Sequence, residues 1–137
     1  MILPLLLTDI HRLKLLNKVA VNLLLVAYSI FIIWPITCEP ILMTRTSNPL
    51  SFMHGMVTFP WLYQNAFPSV HVIIGTFIGG IMGREYPQKK WLFWLGAGLI
   101  FFATFLTKQH FIMDAIFGLI LGLIGLYLWD KQTRRVA

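Results

Sequence analysis

Val19-Ala20-Val21-Asn22-Leu23-Leu24-Leu25-Val26-Ala27-Tyr28-Ser29-Ile30-Phe31-Ile32-Ile33-Trp34-Pro35-Ile36-Thr37-Cys38 carries no charged side chain and is rich in Leu, Ile and Val. About 20 apolar residues in a helix cross the hydrocarbon core of a bilayer. This run closes on Trp34 and Pro35, residue types that collect at membrane interfaces and at helix ends. Further uncharged or nearly uncharged runs follow at 68–83, 91–107 and 109–129, the last with Asp114 inside its first turns. The expectation is therefore an all-α integral membrane bundle, a single domain over 1–137, with about four transmembrane helices at 19–38, 68–83, 91–107 and 109–129. The segment 39–67 is broken by Pro40, Pro49 and Pro60 yet keeps Phe52, Trp61 and Tyr63. Backbone interrupted in this way does not cross a bilayer as regular helix, so it is expected at the interface.

Composition points the same way. Of 137 residues, 58% are hydrophobic and 12% charged, with a mean hydropathy of +0.76, whereas soluble domains carry about 25% charged residues. A water-soluble globule is excluded, and the length leaves no room for a large transporter. Eleven Lys and Arg against five Asp and Glu give a net charge of +6. In a soluble chain that excess would hint at nucleic acid; here the charges punctuate apolar runs, so the expected partner is the bilayer and not nucleic acid. Arg12, Lys14 and Lys18 precede the first run, Arg84, Lys89 and Lys90 separate the second from the third, and Lys131, Arg134 and Arg135 follow the fourth. Nine of the eleven cations thus share one side, which the positive-inside rule makes cytoplasmic in a cell membrane, together with both termini. Only Arg45 and Lys108 remain for the outer side.

Several features have ordinary structural readings. The apolar start 1–7 is short and lacks a preceding basic region, so the first helix is expected to be an uncleaved anchor. Cys38, the one cysteine, has no internal disulfide partner and reads as a small buried hydrophobe. Gly75, Gly79 and Gly83, and likewise Gly118 and Gly122, are spaced by four. Each set makes a smooth helix face for close approach of a neighbour, within the bundle or in a homo-oligomer.

Ionisable groups inside membrane helices are costly and mark functional sites by default. His71 lies at the outer start of the second helix, in Phe67-Pro68-Ser69-Val70-His71, and His110 at the outer start of the fourth, in Thr107-Lys108-Gln109-His110. The topology puts both at the same side and depth. Asp114, four residues after His110, shares its helix face and can hold the imidazole in one tautomer, the relation of a nucleophile to its orienting group. Two helix N-termini, the Ser69 hydroxyl and the Lys108 ammonium would favour an anion such as phosphate. The ordinary readings stand beside this: a histidine at a helix end is often interfacial, Asp114 can cap its helix or pair with Lys108, and His71, His110 and Asp114 are a conceivable zinc set, though Lys108 would compete with a cation.

Pro68-Ser69-Val70-His71 resembles the Pro-Ser-Gly-His motif of the phosphatidic acid phosphatase type 2 superfamily, and His110-Phe111-Ile112-Met113-Asp114 resembles its His-x-x-x-Asp motif. The longer strings Asn65-Ala66-Phe67-Pro68-Ser69-Val70-His71-Val72 and Thr107-Lys108-Gln109-His110 look like the inositol phosphorylceramide synthase-like branch. The resemblance covers roughly 37–122. It implies the catalytic core of that superfamily and a membrane-embedded lipid phosphate phosphatase, acting on a phosphomonoester or pyrophosphate. By the same resemblance, His110 attacks phosphorus to form a phosphohistidine, Asp114 orients it, and His71 protonates the leaving oxygen and later activates water. Ser69 would hydrogen-bond the phosphoryl oxygens. Neither a metal nor another cofactor is implied. Histidine, with an unperturbed pKa of about 6.5, can serve either as nucleophile or as acid near neutrality.

The departures are specific. The superfamily's Lys-x6-Arg-Pro motif is absent, Glu39 stands before Pro40 where the branch has arginine, and Ala103-Thr104 replaces a Ser-Arg pair. Lys108 and Arg45 are the outer cations able to substitute for those phosphate contacts. With four helices where the superfamily usually has six, the chain reads as a short or truncated member. Two alternatives remain at this level: phosphotransfer of a phospho-headgroup to an alcohol acceptor, and a non-catalytic lipid-binding relative.

Overall fold

The computed structural model describes residues 9–38, 64–65, 67–106 and 112–136. Four helices make up the described chain: α1 (Ile10–Ile33), α2 (Val70–Glu85), α3 (Lys90–Leu106) and α4 (Ile112–Val136). A 3-10 turn at Pro87–Lys89 links α2 to α3, and the two-residue strands β1 (Thr37–Cys38) and β2 (Gln64–Asn65) pair antiparallel.

The first helix begins nine residues before the expected Val19. Asp9 caps it, its carboxylate accepting from the His11 amide at 2.8 Å, so the basic turn with Arg12, Lys14 and Lys18 is helical. Absence of charge marks the apolar crossing and not the helix itself. At the other end Trp34 closes α1, its N–H donating to the Ile30 carbonyl at 2.7 Å, ahead of Pro35 and short of the expected Cys38. For the same reason the last helix runs on through Lys131 and Arg134, beyond the expected 129. The interfacial segment expected at 39–67 lies mostly outside the described residues.

α2 is the central helix, and each of its faces meets a different neighbour. Gly75, Gly79 and Gly83 approach Ile100, Phe93 with Ala97, and Lys90 with Trp94, so α3 runs antiparallel to α2. On the adjacent face Val72 meets Gly118, Thr76 meets Gly122 and Gly80 meets Leu126. These pairs advance together along both helices, so α2 and α4 run parallel. The third face, with Ile73, Phe77 and Ile81, packs into the core with Leu16, Val19, Leu23 and Ala27 of α1, spaced by three and four along one side of that helix. The small-residue faces of α2 and α4 are therefore filled by helices of the same chain.

Charges collect at one end of the bundle. Arg12 Nη1 donates to both Glu85 oxygens, at 2.6 and 2.8 Å, and Arg84 Nη2 lies 2.7 Å from Asp130 Oδ2. These pairs tie the start of α1 and the end of α4 to the end of α2; partly exposed, each is worth at most about 1 kcal/mol. The long flanks are apolar instead: Leu25, Ile32, Trp94, Leu99, Phe102 and Tyr127 are all exposed. Water would not tolerate so extensive an apolar surface, whereas lipid does. Of the described helices, Ile10–Ile33 and Ile112–Arg134 are long and apolar enough to cross a bilayer.

A Cβ added at Gly122 would lie 2.8 Å from the Ile73 carbonyl oxygen and 2.7 Å from the Thr76 Cβ. Gly122→Leu is expected to lower bundle stability by about 1–3 kcal/mol through overpacking. Thermal unfolding in detergent checks this, with Gly98→Ala, a position whose added Cβ meets nothing within 4 Å, expected to keep wild-type stability.

Candidate functional site

Because α2 and α4 run parallel, their first turns lie at the same end of the bundle, opposite the charged end. Phe67 and Pro68, joined by a cis peptide bond, lead into Ser69, which caps α2. Phe67 packs edge-on against Phe117 of α4, ring centroids 4.9 Å apart. The Ser69 amide donates to the Asp114 carbonyl at 3.0 Å, and the Ser69 carbonyl accepts from Ile73 at 3.0 Å. The start of one motif is thereby bonded through the backbone to the first turn that carries the end of the other.

That contact depends on a glycine. A Cβ at Gly118 would lie 2.8 Å from the Ser69 carbonyl oxygen and 3.0 Å from the Val72 Cβ. Any side chain there would push the first turn of α2 away from α4.

Ser69 and Asp114 are both buried, at 0% and 2% exposure. The Ser69 hydroxyl does not cap its own helix, and its Oγ has no hydrogen-bond partner among the described residues. A buried hydroxyl in that state costs about 1–3 kcal/mol, a cost that a bound water, a ligand or a catalytic role accounts for. His71, two residues on, is exposed. It stands one turn before Gly75 on the α3-facing ridge and lines a groove between α2 and α3. Ser69 and Asp114 thus meet on the α4 side, while His71 faces α3.

The other expected site residues, His110, Lys108 and Arg45, lie outside the described residues. Thr104, which stands where the superfamily's Ser-Arg pair would end, is buried and donates its hydroxyl to the Phe101 carbonyl at 2.6 Å. No group of three His, Cys, Asp or Glu side chains converges among the described residues. Sequence reasoning passed over Gly96, which lines the groove opposite α2; the Gly96-Ala97-Gly98 triplet inside an otherwise bulky helix was the available signal.

Ser69 and Asp114, one from each motif, therefore sit in neighbouring first turns of parallel helices. The model of the PAP2 superfamily matches residues 1–128. The chain belongs to the PAP2 superfamily. Both motif segments fall inside the matched range, and the superfamily is generally phosphatase-type. Membership, together with two helices apolar enough to cross a bilayer, fits a membrane protein. No curated protein and no solved structure matches the chain.

A hydroxyl that stabilised the fold would be missed on removal; the Ser69 hydroxyl is expected not to be. Ser69→Ala should leave thermal stability unchanged or raise it, while weakening vanadate binding by at least about tenfold, as expected for loss of a hydrogen bond to a charged group. Titration of wild type and variant with vanadate, alongside their melting curves, reads both quantities.

Proposed function

We propose that this PAP2 superfamily member is a membrane-embedded lipid phosphate phosphatase. One observation carries the reading: the buried Ser69, its hydroxyl unpartnered among the described residues, is bonded to the turn of α4 that holds Asp114. Family membership across both motifs supports it. The substrate is a phosphomonoester or pyrophosphate of a lipid. The strings 65–72 and 107–110 favour the inositol phosphorylceramide synthase-like branch.

In the proposed reaction a neutral His110 attacks phosphorus, forming the P–N bond as the P–O bond to the lipid breaks. His71 gives its proton to the departing oxygen. Asp114 holds the His110 imidazole, and Ser69, with Lys108 and Arg45, hydrogen-bonds the phosphoryl oxygens. Water then loses a proton to His71 and attacks the phosphohistidine, releasing inorganic phosphate and restoring both histidines. No metal or cofactor enters the cycle.

All four helices cross the bilayer in this reading. At 1.5 Å per residue, α2 (16 residues) and α3 (17 residues) span about 24–26 Å, close to the hydrocarbon thickness of about 30 Å. The charged end, with Arg12, Arg84 and Lys131, is cytoplasmic with both termini, and the site opens on the outer face.

Purified wild-type protein is expected to release phosphate from a long-chain lipid phosphate in the presence of EDTA and to be blocked by vanadate. His110→Ala should fall to background and His71→Ala should lose about 10²–10⁴ in kcat; wild-type turnover in His110→Ala would exclude the phosphohistidine. For topology, with Cys38 replaced by serine, a cysteine at Asn48 should react with an impermeant maleimide in intact cells. One at Lys89 should react only after permeabilisation.

A further inference from the structure

Apart from His71, the residues lining the groove between α2 and α3 take no part in the chemistry above. It encloses about 600 Å³, within the 300–1,000 Å³ or so typical of small-ligand sites. Its walls are apolar, with Ile74 and Ile78 on one side and Leu92, Phe93 and Ile100 on the other, and His71 is its one ionisable side chain among the described residues. His71 marks one end, since it lies in the first turn of α2. From there the α2 wall continues to Gly79, about 12 Å at the helical rise of 1.5 Å per residue. Gly96 borders the groove, and a Cβ added there meets nothing within 4 Å. A side chain at that position therefore has room to grow from the groove's wall.

We propose that this groove holds the hydrocarbon chain of the lipid phosphate, its phosphate at the His71 end and its chain running between α2 and α3 toward Gly79, with Gly96 setting the room available. The inference rests on the phosphatase reading for the identity of the occupant. A flexible hydrocarbon chain with a charged head suits an apolar trough with one polar end; bulk lipid has no reason to prefer it over the rest of the apolar flank. The chain gains little by leaving one apolar medium for another. The groove acts instead by orientation, holding phosphorus in register with His71 rather than free to diffuse along the bundle.

The test uses the full chain in phosphatidylcholine vesicles and two photoreactive probes of equal chain length, an alkyl phosphate and the corresponding alkyl alcohol, each with a diazirine at the chain end. In wild type the phosphate probe should label the lower groove, around Gly79, Leu92 and Phe93, at least about tenfold more than the alcohol. Gly96→Leu should cut that labelling at least about tenfold, the discrimination a few methylene groups can provide. Gly98→Leu, at a position whose added Cβ likewise meets nothing within 4 Å but which lies outside the groove, should leave it unchanged. Labelling elsewhere, equal labelling by the alcohol, or undiminished labelling in Gly96→Leu would overturn the proposal. Phosphate release measured on the same samples separates the two readings. Labelling in the groove without turnover in wild type overturns the phosphatase and leaves a lipid phosphate site; turnover with labelling unaffected by Gly96→Leu overturns the groove alone.

Discussion

The close approach of α2 to α4 is the constraint on which the rest of the bundle depends. Between helices in lipid there is no hydrophobic gain to be had, so association comes from packing and from polar contacts. Gly118 and Gly122 supply the packing by letting the backbone of α4 reach the Ser69 and Ile73 carbonyls. The amide bond from Ser69 to the Asp114 carbonyl lies at the top of that seam. A side chain at Gly118 would push the two motif-bearing turns apart.

Around the seam, α2 divides its surface among three neighbours. Small residues face α3 and α4, while Ile73, Phe77 and Ile81 fill the core against α1. The ion pairs Arg12–Glu85 and Arg84–Asp130 close only one end. Charges gathered at one end, with apolar flanks turned outward, are what a helical bundle needs to sit upright in a bilayer.

The first turn of α2 also separates two kinds of recognition in the proposed enzyme. Ser69, bonded through its amide to the Asp114 carbonyl, lies on the α4 side, where a phosphoryl group would be held. His71 borders the apolar groove with α3, where the phosphate end of the lipid would pass into its chain. Two residues apart on a helix is about half a turn, enough to face two neighbours from one short motif.

Much of this was legible in the sequence. The uncharged runs and scattered cations determine the helical class, the membrane setting and the sharing of one end by most basic residues, because burying charge in lipid is prohibitive. The ordered pair of motifs points to the superfamily that the family model matches, and parallel docking of α2 and α4 follows from the single antiparallel helix, α3, between them. Trp34 and Pro35 hint at the end of α1, but the basic ends of the helices were not legible, since Arg12 and Lys131 continue a helix as readily as they end an apolar stretch; only capping by Asp9 shows where α1 starts. Nor does the sequence choose which neighbour each glycine face meets or that His71 borders a groove with Gly96. Helices apolar on every side carry no amphipathic signal to aim them. Their partners are chosen by the fit of one surface to another, and that fit exists only in the assembled bundle.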